Sequence, residues 1–185
     1  MQPISAAMTP RRALVLTGLL AAVLSPVRSA PASVASGQLQ RVGHVADGDT
    51  VDLANGGRVR LVQIDTPEVY GSPECYGKQS SAITKRLLPP GTLVRLTREP
   101  ATDSADSYGR LLRYVTRVRD GLDINVHLVR IGAAAPYFYD HRRGRYAALL
   151  VRLGLRARSR HLGLWGSCRG TPWNPNRGVA TGPPR

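Results

Sequence analysis

Asp47, Asp49, Arg60, Asp65 and Glu68 put five charges into two short, otherwise apolar stretches of this sequence. Arg60 interrupts Val59, Leu61, Val62 and Ile64, and Asp65-Thr66-Pro67-Glu68 follows at once. Asn55-Gly56 between two alternating segments signals a hairpin. Centring its turn near Gly56 and Gly57 predicts antiparallel partners whose numbers sum to about 114. Asp49 and Asp65 meet that sum, so both carboxylates are expected at the open end of the hairpin. Two carboxylates that close repel, and either one takes a proton or a cation sits between them. With no His or Cys in the cluster, the donors are carboxylates, carbonyls and water, which suit calcium or magnesium rather than zinc or copper. Arg60 has two readings. It pairs with Asp49 or Asp65 in a buried ion network, or its planar fork receives a phosphate.

Asp47-Gly48-Asp49-Thr50-Val51, then Arg60 with Asp65-Thr66-Pro67-Glu68, then Asp106-Ser107-Tyr108-Gly109-Arg110 occur in that order. Together they resemble the signature of the staphylococcal nuclease (thermonuclease) family, from about Leu39 to Trp165. The resemblance implies an α+β, mainly β domain: a five-stranded OB-fold barrel with about three helices. It also implies calcium-dependent cleavage of DNA and RNA phosphodiesters, severing the 5′ oxygen from phosphorus. Matched by motif position, Asp49, Asp65 and the Thr66 carbonyl would be calcium ligands. Glu68 would orient or deprotonate water, Arg60 and Arg110 would stabilise the phosphoryl transition state, and Tyr108 would contact substrate. The aromatic run at 136–139 is one residue shorter than the family pattern. Either Tyr137 or Phe138 could therefore face the substrate as a stacking platform, or both could pack the core.

The elements that must position these residues follow from pattern. Leu39–Val45 and Val51–Leu53 read as strands, with a third beginning at Arg58. Gly77–Leu88 reads as a helix stopped by Pro89-Pro90-Gly91, and Thr92–Thr97 and Leu111–Val118 as further strands. Leu122, Val126 and Val129 mark a short helix ended by Gly132. A last helix is expected over Arg143–Arg160, with Tyr146, Leu150, Leu153 and Ala157 on its buried face. Arg145, Arg152 and Arg156 share another face of that helix. Asp47 reads as a turn carboxylate bonding its own backbone. His44, His127, His141 and His161 are scattered singly and read as structural or surface residues.

The whole chain of 185 residues carries a net charge of +14, and after Asp140 it has ten arginines and no acid. A polyanion is the expected partner, DNA or RNA above all. A non-catalytic nucleic-acid-binding OB module would need the arginines but not Asp49, Asp65 and Glu68. A cell-surface structural protein would account for the cysteines alone. Residues 1–32 read as an export signal, with Arg11 and Arg12 before an apolar run from Ala13 to Leu24 and Ala30-Pro31-Ala32 as cleavage site. The run is short for a membrane span, so no stable anchor is expected, and export fits a general secretory or a twin-arginine route. Residues 33–37 form a linker, 38–169 the domain, and 170–185, rich in Gly and Pro, a disordered basic tail. In an exported monomer Cys75 and Cys168 are expected to form a disulfide, since no spacing supports a zinc site.

Overall fold

A computed structural model describes residues 37–168 and 170–184. The expected export signal and residues 33–36 of the linker lie outside the described residues. Short strands with apolar residues on every second position build most of the domain. In chain order these are β1 (Gln38–Val45), β2 (Thr50–Leu53), β3 (Arg58–Leu61) and β4 (Ile64–Asp65), followed by helix α1 (Gly77–Leu87). Then come β5 (Leu93–Arg98), β6 (Leu111–Arg117), β7 (Leu122–Asp123), α2 (Ile124–Arg130) and β8 (Ala135–Pro136). The chain ends through α3 (Ala147–Ser159), α4 (Leu164–Ser167), β9 (Trp173–Asn174) and β10 (Gly178–Val179).

The sheet runs β3-β2-β1-β5-β6, and β6 returns to pair with β3, closing a five-stranded barrel. The closing pair is parallel, with Val59 beside Leu111 and Leu61 beside Arg113. Val42, Val51, Val59, Leu61, Val94 and Val115 fill its interior, each 1% exposed or less. Burial of each such side chain contributes roughly 1.5–3 kcal/mol. The helix α2 extends this core with Ile124, Leu128 and Val129 and packs against β6 and α3. This is the α+β, mainly β OB-type barrel with three principal helices that the motifs imply. Among the described residues no helix is long and apolar enough to cross a membrane.

Three expectations need correcting. The β2–β3 pairing joins Thr50 to Arg60 and Asp52 to Arg58, a sum of 110 rather than 114. Leu53 N donates to Gly57 O and Gly56 N to Leu53 O, so the turn centres on Asn55, one to two residues earlier than expected. The last helix starts at Ala147 rather than Arg143, and before it the Arg145 N–H donates to the Glu99 carboxylate at 2.8 Å. The segment after Cys168 is not a disordered tail over its described residues. Phe138 N donates to Pro175 O at 2.6 Å, Trp173 Nε1 to Pro136 O at 3.2 Å, and Thr181 Oγ1 to Cys75 O at 2.7 Å. These single polar contacts, with Trp173 and Val179 packed in a small apolar cluster with Trp165 and Leu164, hold the segment, and so few apolar positions make no periodic pattern.

Candidate active site

The strand β3 carries Arg60 to its end and then breaks. Gln63 takes a left-handed conformation (φ 63°), and the chain folds back so that β4 leaves the β2–β3 ladder and pairs with β8, Asp65 beside Ala135. This turn is fixed from outside. Asn125 Nδ2 donates to Val62 O at 2.9 Å while Asn125 Oδ1 accepts from Val115 N. The Gln63 side chain accepts from Tyr114 Oη at 3.1 Å and donates to Arg142 O at 2.9 Å. Neither Gln63 nor Asn125 was singled out by sequence reasoning. The available signal was an amide placed inside an apolar strand and another inside an apolar helical face.

Folding the turn back wraps it around one guanidinium. Arg60 Nη1 donates to Leu61 O and Ile64 O and lies 2.9 Å from Asp49 Oδ2, and Nη2 reaches Asp65 Oδ1 at 2.8 Å. The two acids are thus neighbours across Arg60 instead of facing each other in a ladder. Asp49 sits on the loop after β1, where Asp47 Oδ1 accepts from Asp49 N in the expected local turn. Thr66 N and Thr66 Oγ1 both donate to Asp49 Oδ2, at 2.9 and 3.0 Å. Gly48 permits that contact by its lack of a side chain. A Cβ there would stand 2.5 Å from Thr66 Oγ1.

Charge in this cluster is unbalanced. Asp47, Asp49, Asp65 and Glu68 all act on the single Arg60 guanidinium, which burial alone would weaken and which their charges hold above its ordinary basicity. Burial pushes the Asp49 carboxyl up to about 7; Arg60 opposes the shift, and the Asp65 and Asp47 charges add to it. Glu68 is raised as well, by partial desolvation and then by Asp65 and Asp47. Among the described residues no three His, Cys, Asp or Glu side chains converge as a cage. A cation here would draw on two carboxylates with carbonyl and water oxygens. That donor set, with its surplus negative charge, fits a hard divalent ion.

A cavity of about 440 Å³ opens beside the cluster, and Arg60, Arg110, Tyr108, Tyr137 and Asp106 line it. The loop before β6 delivers Arg110 there. Asp106 Oδ1 accepts from Tyr108 N and Arg110 N, and Asp106 Oδ2 accepts from Arg110 Nε at 2.7 Å. The Arg110 guanidinium lies 5.4 Å from the centre of the Tyr108 ring, itself 83% exposed. Glu68 lines a second cavity with Glu74, Tyr76 and Lys78, so it approaches the cluster from another side. Of the two aromatic candidates, Tyr137 borders the large cavity, whereas Phe138 is fully buried in the core. The expectation of Phe138 at the substrate is thereby corrected. Its N–H donates to Pro175 O at 2.6 Å. Of the expected arginine stripe, Arg145 lies before α3 and pairs with Glu99, while Arg152 and Arg156 on α3 are exposed. Cys75 and Cys168 form the expected disulfide, 93 residues apart.

A family profile described as staphylococcal nuclease homologue matches residues 58–167. The thermonuclease of Staphylococcus intermedius is 35% identical over 135 residues, covering 70% of this chain and 77% of that protein. An endonuclease of Bacillus subtilis, YhcR, is 35% identical over 109 residues, 52% of this chain but only 9% of its own length. An uncharacterized endonuclease of Escherichia coli O157:H7 is 38% identical over 100 residues, 52% of this chain and 60% of that protein.

Proposed function

The chain belongs to the staphylococcal nuclease family, and from that premise we propose that it is a secreted, calcium-dependent nuclease hydrolysing phosphodiester bonds in DNA, RNA or both. The observation that carries the reading is a mismatch of charge. Four carboxylates act on one guanidinium at the mouth of a cavity that a second guanidinium, Arg110, also lines. A module that only bound phosphates would gain nothing from uncompensated acids around that guanidinium. A hydrolase needs them to hold a cation.

Calcium, when bound, would polarise a non-bridging phosphate oxygen and bring a water near phosphorus. Asp49, Asp65 and the Thr66 carbonyl are the residues that would hold it. Arg60 enters the cavity with its Nη groups anchored on Asp49 and Asp65, so its orientation is fixed before substrate arrives. Arg110 is fixed in the same way by Asp106. Two pre-oriented guanidiniums gain more from the charge that builds on the phosphoryl oxygens than from the ground state. Glu68, its carboxyl raised above the ordinary range by partial burial, takes or orients a proton of the attacking water. Cleavage on the 5′ side of phosphorus would leave a 3′-phosphate. Tyr108 and Tyr137 offer aromatic surfaces for the nucleotide next to the scissile bond.

Export by a general secretory or twin-arginine route, followed by action as a monomer outside the cell, completes the proposal. The disulfide supports an oxidising destination. The test is cleavage of labelled single- and double-stranded DNA and of RNA, with calcium, with magnesium and with a calcium chelator. Cutting that needs calcium and is lost in Glu68→Gln supports the reading. Tight binding of the oligonucleotide without cutting under any metal condition would overturn it in favour of a binding module.

A further inference from the structure

Asp65 has two carboxylate oxygens and two fixed donors, and the donors come from opposite ends of the domain. Arg60 Nη2 reaches Oδ1 at 2.8 Å, from five residues away. Val179 N donates to Oδ2 at 2.9 Å, from 114 residues away. Asp49 differs, since Thr50, Arg60 and Thr66, all from the β2–β4 region, supply its polar contacts.

The hairpin that presents Val179 is built to lie against Asp65. Val179 faces Trp173 and Gly178 faces Asn174 across β9–β10. Gly178 has a φ of 78°, and a Cβ added to it would stand 2.5 Å from Asp65 Oδ2. A side chain at 178 would thus require both a strained backbone and a displaced carboxylate. The hairpin is fastened on both sides of this contact. Before it, the Cys75–Cys168 disulfide and the Trp173–Pro136 hydrogen bond set its origin. After it, Cys75 N donates to Gly182 O at 2.7 Å and Thr181 Oγ1 to Cys75 O. Cys75 follows the short loop on which Glu74 N donates to Glu68 O, so the same fastening steadies the Glu68 backbone.

We propose that the C-terminal hairpin is a working part of the active site, with the Val179 amide acting as the positioning donor that sets the Asp65 carboxylate for the cation. This rests on the calcium reading above. A carboxylate with one donor on each oxygen cannot turn about its Cβ–Cγ bond, and each oxygen keeps a second lone pair for a ligand. With the Val179 donor gone, Arg60 alone holds Asp65 through Oδ1, and the carboxylate is free to turn about its Cβ–Cγ bond, so Oδ2 no longer keeps a fixed direction for a ligand shared with Asp49. Outer contacts of this kind typically set metal affinity within a factor of about 10–100.

The test uses the disulfide-bonded protein and three single variants: Val179→Pro, which deletes the donor; Val179→Ala, which keeps it; and Gly178→Ala, which drives a Cβ into Asp65. Calcium affinity is measured by titration calorimetry well below the melting temperature of each, with melting recorded separately. We expect Val179→Pro and Gly178→Ala to bind calcium roughly 10–100-fold more weakly, Val179→Ala to match the unaltered protein, and cleavage by the first two to recover largely at saturating calcium. A hairpin that only stabilised the fold would lower melting temperatures and leave the affinity of the folded protein unmoved. Equal calcium affinity in Val179→Pro and Val179→Ala overturns the inference; should Val179→Pro fail to fold, Gly178→Ala with unaltered affinity does so. If the unaltered protein neither binds calcium nor cuts with it, the calcium reading falls first and this inference with it.

Discussion

Two buried acids on opposite sides of one turn have opposite fates. Asp49 is pushed up to about 7, whereas Glu99, 3% exposed, is held below the usual carboxylate range. Burial works against the charge of both. At Glu99 it is outweighed by N–H donors from Arg145 and Ala101 and by the Arg145 guanidinium, at 2.8, 3.1 and 3.3 Å. Tyr114 Oη adds a contact and passes it on to Gln63. At Asp49 the donors are similar in number, yet the Asp65 and Asp47 charges stand beside it. A buried acid surrounded by matched donors holds the fold together. A buried acid crowded by other acids weakens the metal-free fold and is kept for its chemistry.

The comparison predicts a separation of effects. Glu68→Gln should lower kcat by roughly 10²–10⁴ with little change in melting temperature. Steady-state cleavage and thermal melting of the same preparations decide this, and an equal loss in both would merge the two regions. Glu99→Ala should do the reverse. It costs about 3 kcal/mol of stability by stranding Arg145 N–H and a desolvated pocket, read from urea unfolding, while kcat per folded molecule stays close to that of the unaltered protein.

Asp49→Asn breaks the comparison from the other side. The folded Asp49 carboxyl, near 7, lies above its unfolded value, so its contribution is complete below about pH 4 and is lost as pH rises through 7. In chelator at pH 8 the variant should therefore equal or exceed the unaltered protein by about 1–2 kcal/mol. The stabilisation that calcium is expected to give the unaltered protein should be absent from the variant. A variant that unfolds more easily at pH 8 without calcium would show that Asp49 is compensated after all.

The smallest effect belongs to Asp123, which burial alone raises to about 6 and which caps α2 by accepting from Val126 N at 2.9 Å. No other acid shares its site among the causes of its shift. The sign is the same as for Asp49, with stability lost between about pH 4 and pH 6. Asp123→Asn should flatten that slope by roughly 1 kcal/mol and leave cleavage untouched. Loss of activity in this variant would mean that a raised carboxyl, not crowding by like charges, marks the functional acid.

Much of the site could be read from the chain because its chemistry is local in sequence. Arg60 lies five residues from Asp65, and Asp106 four from Arg110, so strand and loop geometry leave them few places to go. The spacing failed where a remote partner chose between local options. The same acids came together, but through a turn at Val62 and Gln63 that Asn125 and Tyr114 hold in place, not through the expected ladder. Tyr137 and Phe138 alternate along one extended stretch, and only the pairing of β8 with β4 determines which of them points inward.

The sequence by itself determined most of the strands and helices, the order of the motifs, the cysteine pair and the set of charged groups, since periodicity and residue type act over a few positions. The barrel followed from the family resemblance that those motifs carry. Tertiary structure alone decided the register that seats Asp65, the aromatic that meets the cavity and the return of the C-terminal strand to the acid cluster. Those choices depend on single hydrogen bonds between residues as much as 114 positions apart, and no local pattern encodes a bond whose partner lies at the other end of the chain.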